Sequence, residues 1–160
     1  FIGQTIGALH GVDMAAIVRR ARAPQRAQRS SGEVLLDQRV ACGLGNVYKS
    51  ELCFLLGLHP FTPASAVDDE TLVRLYRLGR ALLSRNVPKE PSGPQPRVTR
   101  PRGATASKAP LPKGQRLWVY QRRGEPCHRC GEPIELRVQG DDRRPTYLCP
   151  SCQPAQKTSV

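Results

Sequence analysis

The 160 residues suffice for one domain or two small ones. They carry 25 Lys+Arg against 13 Asp+Glu, a formal net charge of +12 supplied mostly by arginine, which points to a polyanionic partner and suits bidentate contact with phosphate. No run approaches the roughly 18 apolar residues of a membrane span, and an aromatic content of 5% argues against a stacking surface for single strands, leaving duplex nucleic acid as the favoured polyanion.

Residues 1–11 have no periodic pattern and read as the tail of an upstream segment. Asp13 is an N-cap for a short helix in which Met14, Ile17, Val18 and Ala21 recur at helical spacing, with Arg19, Arg20 and Arg22 at its C-terminal turn. A basic connector with Pro24, Arg26 and Arg29 follows. Ser30-x-x-Glu33 forms a capping box that predicts a second helix from near Ser31 to about Ala41. Gly43-Leu44-Gly45-Asn46 then makes a tight turn. Asn46 is expected to cap a third helix, whose Tyr48, Leu52, Leu55 and Leu56 fall at i, i+4, i+7 and i+8. Gly57 and His59-Pro60 close it. A helix, glycine turn and helix can present backbone N–H groups to phosphate, although such turns are more often structural. Asp68 caps a longer helix with Leu72, Leu75, Tyr76, Gly79, Leu82 and Leu83 on one face. Cys42 and Cys53 are not spaced like ligands and read as small buried hydrophobes.

Residues 86–116 break the pattern with seven prolines and a strong basic bias, as either a disordered linker or a functional strap. Leu117, Trp118, Val119 and Tyr120 are expected to form a strand on re-entry. Cys127-x2-Cys130 and Cys149-x2-Cys152, with 18 residues between the pairs, have the spacing of a structural zinc site. Two disulfides are the alternative, and they would need an oxidising compartment. His128 lies inside the first pair and reads as an exposed loop residue. Ile134, Leu136 and Val138 alternate with Glu135 and Arg137 ahead of a Gly140-Asp141-Asp142 turn, and Thr146-Tyr147-Leu148 leads back, so the cysteines sit on a hairpin. So small a ribbon depends on its metal, and zinc loss is expected to unfold 119–153 first. The fold class that results is mainly α: a helical bundle over 12–85, a basic Pro-rich loop over 86–116, a β-hairpin zinc ribbon over 117–153 and a disordered tail over 154–160.

The run from Leu35 through Asp37-Gln38-Arg39 and Gly43-Leu44-Gly45-Asn46 to Tyr48-Lys49-Ser50-Glu51 resembles the helix–two-turn–helix of the formamidopyrimidine-DNA glycosylase and endonuclease VIII family. Trp118-Val119-Tyr120, Gly124-Glu125-Pro126-Cys127 and the run Arg144-Pro145-Thr146-Tyr147-Leu148-Cys149-Pro150-Ser151-Cys152-Gln153 are similar to that family's C-terminal zinc finger. Lys49-Ser50-Glu51, with Gly32 where formamidopyrimidine-DNA glycosylases tend to have lysine, leans toward the endonuclease VIII side.

The resemblance implies base-excision repair: extrusion of a damaged nucleotide from duplex DNA, glycosidic cleavage, and strand nicking by β,δ-elimination through a Schiff base. It further implies one structural Zn2+ on Cys127, Cys130, Cys149 and Cys152. The DNA contacts it implies come from Gly45, Asn46 and Lys49, and from Arg144, which also takes a proton-donor role in δ-elimination. The implied partner is double-stranded DNA with a damaged base or abasic site. A monomer is expected, with no membrane association, in the cytoplasm or, in a bacterium, on the nucleoid. The family's N-terminal proline nucleophile and adjacent glutamate have no counterpart here, so this chain alone is expected to bind without cleaving. Gln121 stands where the family usually has glycine, which puts that turn in question. The rival readings are a non-enzymatic zinc-ribbon nucleic-acid binder and a structural zinc module whose basic loop recruits an acidic protein.

Overall fold

A computed structural model describes residues 13–85, 99 and 116–156. Helix α1, Met14–Ala21, is capped by the Asp13 carboxylate, which accepts from Ala15 N at 3.3 Å. At its C-terminal end the Arg22 guanidinium donates to Ala64 O at 2.7 Å, to Val67 O, and to Asp69 at 2.8 Å, which ties α1 to the start of α4, Asp69–Arg85. The predicted face of α4 is buried as read, from Leu72 to Leu83, and Asp68 caps it by accepting from Thr71 N at 2.6 Å.

Helix α2 spans Ser31–Leu36, and Glu33 closes the capping box by accepting from Ser30 N at 3.0 Å. It stops well short of Ala41. The cause is Asp37, whose carboxylate accepts from Arg26 Nε at 2.9 Å and from both the backbone and the guanidinium of Arg39. A side chain that bonds the amide two residues on competes with helix continuation, and Asp37 is extended at φ −72°, ψ 106°. Within the basic connector, Arg26 is buried against this carboxylate. Arg39, then Arg26, hold the Asp37 carboxyl well below the usual carboxylate range.

Helix α3, Asn46–Leu55, lies at the centre and is buried on every side from Tyr48 to Phe54. Leu52 and Cys53 join the main core with Leu35, Leu44, Leu75 and Tyr76, while Phe54 belongs to a second core with Val119, Cys127, Ile134 and Cys149. A helix buried all round is one wrapped by other elements. Here those elements are α2 and α4 on one side and the zinc ribbon on the other. Cys53 is buried as expected, but Cys42 is exposed on the turn before α3. Among the described residues no helix is long and apolar enough to cross a membrane.

The ribbon is a two-stranded antiparallel hairpin, β1 Glu135–Gln139 and β2 Arg144–Leu148, pairing Glu135 with Leu148 and Gln139 with Arg144. The apolar alternation does not mark its docking face. Leu136 is only partly buried and Val138 is 50% exposed, whereas Gln139 and Thr146 are buried. Cross-strand partners share a face, so the face against the helices carries Gln139, Thr146 and Leu148. Residues 117–120 form no strand. Their amides converge instead on buried Glu51, which accepts from Trp118 N at 2.6 Å, Val119 N at 2.8 Å and Tyr120 N at 3.3 Å, and from the Thr99 hydroxyl. Burial raises the Glu51 pKa, and these four bonds oppose the rise. Apart from Thr99 and Arg116, the basic loop over 86–116 lies outside the described residues, as do 1–12 and 157–160.

Gln121 adopts φ +58°, in the left-handed region. The resemblance places glycine at this position, and a Cβ there is a cost. Gln121→Gly should raise the unfolding free energy of the zinc-loaded chain by roughly 1 kcal/mol, read from urea denaturation. An unchanged or lower midpoint would show that the strain is absorbed elsewhere.

Candidate nucleic-acid interface and zinc centre

The four cysteine sulfurs converge on one point, all within 4.8 Å of one another, with Cys127–Cys152 at 3.9 Å and Cys130–Cys149 at 3.4 Å. Four Zn–S bonds of about 2.3 Å in a tetrahedron require S···S edges of about 3.8 Å, so the donor set and spacing fit one structural Zn2+ and not two disulfides. His128 is partly buried with its ring against the edge of Trp118, 6.3 Å between centroids, and is not in the cluster. The knuckle is tied to the helices by Gln153, which the sequence reading did not single out as a site. Its Oε1 accepts from Cys149 N at 2.9 Å, and its Nε2 donates to Leu58 O at 3.0 Å.

From this fixed base, β2 runs along α3. Three side chains on one face of α3, at positions 46, 49 and 50, engage three consecutive strand residues. Asn46 Nδ2 donates to Pro145 O at 2.7 Å, Lys49 Nζ to Thr146 Oγ1 at 2.7 Å, and Tyr147 N to Ser50 Oγ at 3.2 Å. Positions i, i+3 and i+4 share a helix face, which is why this spacing reads a strand. The Thr146 hydroxyl also bonds Gln139 Oε1 at 3.2 Å, and Gln139 Nε2 donates to Ser30 Oγ and Pro60 O, both at 2.8 Å. A Cβ at Gly32 would lie 2.5 Å from Gln139 Oε1. Glycine at 32 is thus the space into which the hairpin glutamine fits.

The predicted DNA-contact residues divide. Gly45, Asn46 and Arg144 come together: Gly45 is the N-cap of α3, Asn46 is its first residue and not the cap, and Arg144 precedes the proline that Asn46 holds. No side chain caps this helix start. Asn46 Oδ1 is buried with no hydrogen-bond partner in the described structure. Arg144 is exposed at the edge of a cleft of about 420 Å³ between the hairpin turn and the start of the Asp37–Gly45 turn, with Gln38, Arg39 and Gln139 also lining it. Lys49 departs from the expectation of a surface phosphate contact. It is 0% exposed, and burial lowers its pKa from 10.5 to about 8, with nearby Cys53 opposing that shift and Arg144 adding to it.

Helices joined by a two-turn segment, with a four-cysteine hairpin docked on the second of them, are the arrangement of a helix–two-turn–helix domain followed by its zinc finger. The profile of the formamidopyrimidine-DNA glycosylase H2TH domain matches residues 12–95, and that of a zinc finger found in FPG and IleRS matches 124–155. The chain belongs to the formamidopyrimidine-DNA glycosylase and endonuclease VIII family. It is 44% identical over 127 residues to a probable endonuclease 8 2 of Streptomyces coelicolor, covering 78% of this chain and 41% of the relative. To the DNA-(apurinic or apyrimidinic site) lyase Nei2 of Mycolicibacterium smegmatis it is 39% identical, covering 79% of this chain and 44% of the relative. The chain therefore spans less than half the length of these relatives. Among solved structures, the MutM (Fpg) protein of Thermus thermophilus superposes with a TM-score of 0.64 at 34% identity, over 88% of this chain and 50% of that one. A complex of Lactococcus lactis Fpg with abasic-site DNA gives 0.66 at 25%, over 89% and 48%.

Zinc holds the second core together, so chelation should unfold the ribbon. Structural zinc contributes on the order of 10–16 kcal/mol in comparable small domains. Removing it should abolish the near-ultraviolet signal of Trp118 while the helical far-ultraviolet signal largely persists; coincident loss of both would show one cooperative unit. A second expectation concerns Lys49. Its folded pKa lies below the unfolded value, so the folded state carries a penalty that is full below pH 8 and fades as pH rises to about 10.5. The unfolding free energy of the wild type should therefore rise by about 3 kcal/mol relative to that of Lys49→Met between pH 7 and pH 10.5. A constant difference would mean that Lys49 stays fully charged when folded.

Proposed function

We propose that this chain forms the DNA-gripping portion of a bifunctional DNA glycosylase and AP lyase of the endonuclease VIII type. It acts in base-excision repair on duplexes that carry a damaged base or an abasic site. The observation that carries this reading is the direct contact between Asn46 and the backbone carbonyl of Pro145, which sets the uncapped start of α3 beside Arg144. Backbone amides at a helix start attract phosphate. Arg144 adds a charge that can bind phosphate bidentately. Extruding a nucleotide costs a few kcal/mol, and grips on the flanking phosphates are what offset it.

Gly45 supports the same reading. Its φ of −102° suits any residue, and a Cβ there meets nothing within 4 Å. The free protein gives no reason for glycine; a phosphate backbone approaching the helix start does. Lys49 contributes through Thr146, by holding the strand that carries Arg144. It is also the sole lysine among the described residues, and its enclosed amine is unsuited to Schiff-base chemistry. The described residues thus bind DNA, and Arg144 supplies the δ-elimination proton in the whole enzyme.

The test is equilibrium binding of the zinc-loaded chain to a duplex bearing an abasic-site analogue and to its intact counterpart, over a salt series. A preference of about tenfold, or about 1.4 kcal/mol, is expected for the abasic duplex. Asn46→Ala and Arg144→Ala should each erode that preference, and Gly45→Ala should do so with no change in melting temperature. Equal losses on both duplexes would indicate a non-specific zinc-ribbon nucleic-acid binder with a shared salt slope.

A further inference from the structure

The segment that delivers Asn46 to the interface is not held by its own backbone. After α2 ends at Leu36, the Asp37 carbonyl accepts from Val40 N at 3.0 Å and Ala41 N at 3.3 Å. Beyond that point, among the described residues, none of the amides of 42–45 donates to a backbone carbonyl. Leu44 is buried, which fixes one side chain but not the plane of the peptides around it. Gly43 sits at φ +110°, where only glycine is comfortable, so the chain reverses there without support from a regular element.

One side chain fills the gap. Gln38 Oε1 accepts from Gly43 N at 2.9 Å, and Gln38 Nε2 donates to Leu44 O at 3.3 Å and to Leu36 O at 3.0 Å. A primary amide has two N–H donors and one carbonyl acceptor, and here both kinds are engaged with main chain. The amide joins the end of α2 to the two residues immediately before Gly45. Gln38 is itself exposed, so packing does not account for its place. Neither aspartate nor glutamate could do the same, since a carboxylate cannot donate to two carbonyls.

We propose that Gln38 is a positioning residue for nucleic-acid binding, which sets the orientation of the Gly43–Leu44 peptides and through them the start of α3. This rests on the reading of Gly45 and Asn46 as a phosphate grip. The amide contributes no charge, and its two donors are taken up by main-chain carbonyls. It acts by removing freedom from a turn that would otherwise have to be ordered when DNA binds.

The experiment uses Gln38→Met, nearly the same shape without hydrogen bonds, and Gln38→Glu, which keeps the acceptor and loses both donors. Binding to the abasic-analogue and intact duplexes is measured with each, alone and combined with Asn46→Ala. Gln38→Met should weaken abasic-duplex binding about tenfold, or about 1.4 kcal/mol, with the salt slope and melting temperature unchanged. Amide hydrogen exchange at Gly43 should speed up in the free protein. Because Gln38 acts through the start of α3, the double variant should bind no worse than Asn46→Ala alone. Wild-type affinity in Gln38→Met, or losses that add to those of Asn46→Ala, would overturn the assignment while leaving the phosphate grip standing. If Asn46→Ala itself binds like the wild type, the grip fails and the role of Gln38 fails with it.

Discussion

The structure depends on a single contact between unlike elements: one face of α3 laid along β2. Lys49 is at its centre. Enclosing an ammonium group is unfavourable, and its bond to Thr146 offsets only part of that cost, so the contact is not there because it is cheap. What it provides is specificity of placement. Asn46, Lys49 and Ser50 each meet a different strand residue, so the hairpin can sit against the helix in one register only. Two small cores that could each have been separate domains are welded through the helix they share.

Two further ties prevent rotation about that seam. Glu51, one residue beyond Ser50, gathers the three amides by which the chain enters the ribbon, and Gln153 joins the zinc knuckle to Leu58 just past the end of α3. Entry, return and exit of the ribbon are thus all referred to α3 or its immediate end. Zinc keeps the ribbon folded, and the helix decides where it points. The candidate interface lies at the start of that helix, where Gly45 and Asn46 meet the beginning of β2.

Local chemistry was legible in the sequence and distant chemistry was not. Asp13, the Ser30–Glu33 box and Asp68 cap helices as their residue types dictate, and the α4 face is the one its spacing describes. The cysteine quartet gathers as its two pairs imply. The early end of α2 was hidden because it depends on Arg26, eleven residues before Asp37, turning inward. The burial of Lys49 was hidden for the same reason on a longer scale, since its partner Thr146 lies 97 residues on. The hairpin misled directly: Leu136 and Val138 obey the alternation rule, yet the face that docks carries Gln139 and Thr146, because what it meets is a polar helix edge and the glycine gap at 32. Residues 117–120 have the composition of a strand, but Glu51 supplies their hydrogen-bond partners and no second strand is needed. The proposed grip of Gly45, Asn46 and Arg144 was named from the family motif; Gln38 and Gln153 lie within the runs that carry the resemblance but drew no role from it, and Gln139 lies outside them, since a glutamine is ordinary at any surface position.

That the hairpin is registered from its returning strand has a consequence for how such a protein can change over time. The position of Arg144 is counted from Cys149 and α3 along the strand that carries it, and from Gln139, its partner across the turn. One residue gained or lost between Arg144 and Cys149 would shift every bond to the helix at once, whereas a change of residue type confined to Asp141 and Asp142 leaves those bonds in place. Variation among descendants of this chain should therefore collect at the two tip aspartates and be purged between Arg144 and Cys149, so that the tip can change while its anchor stays fixed.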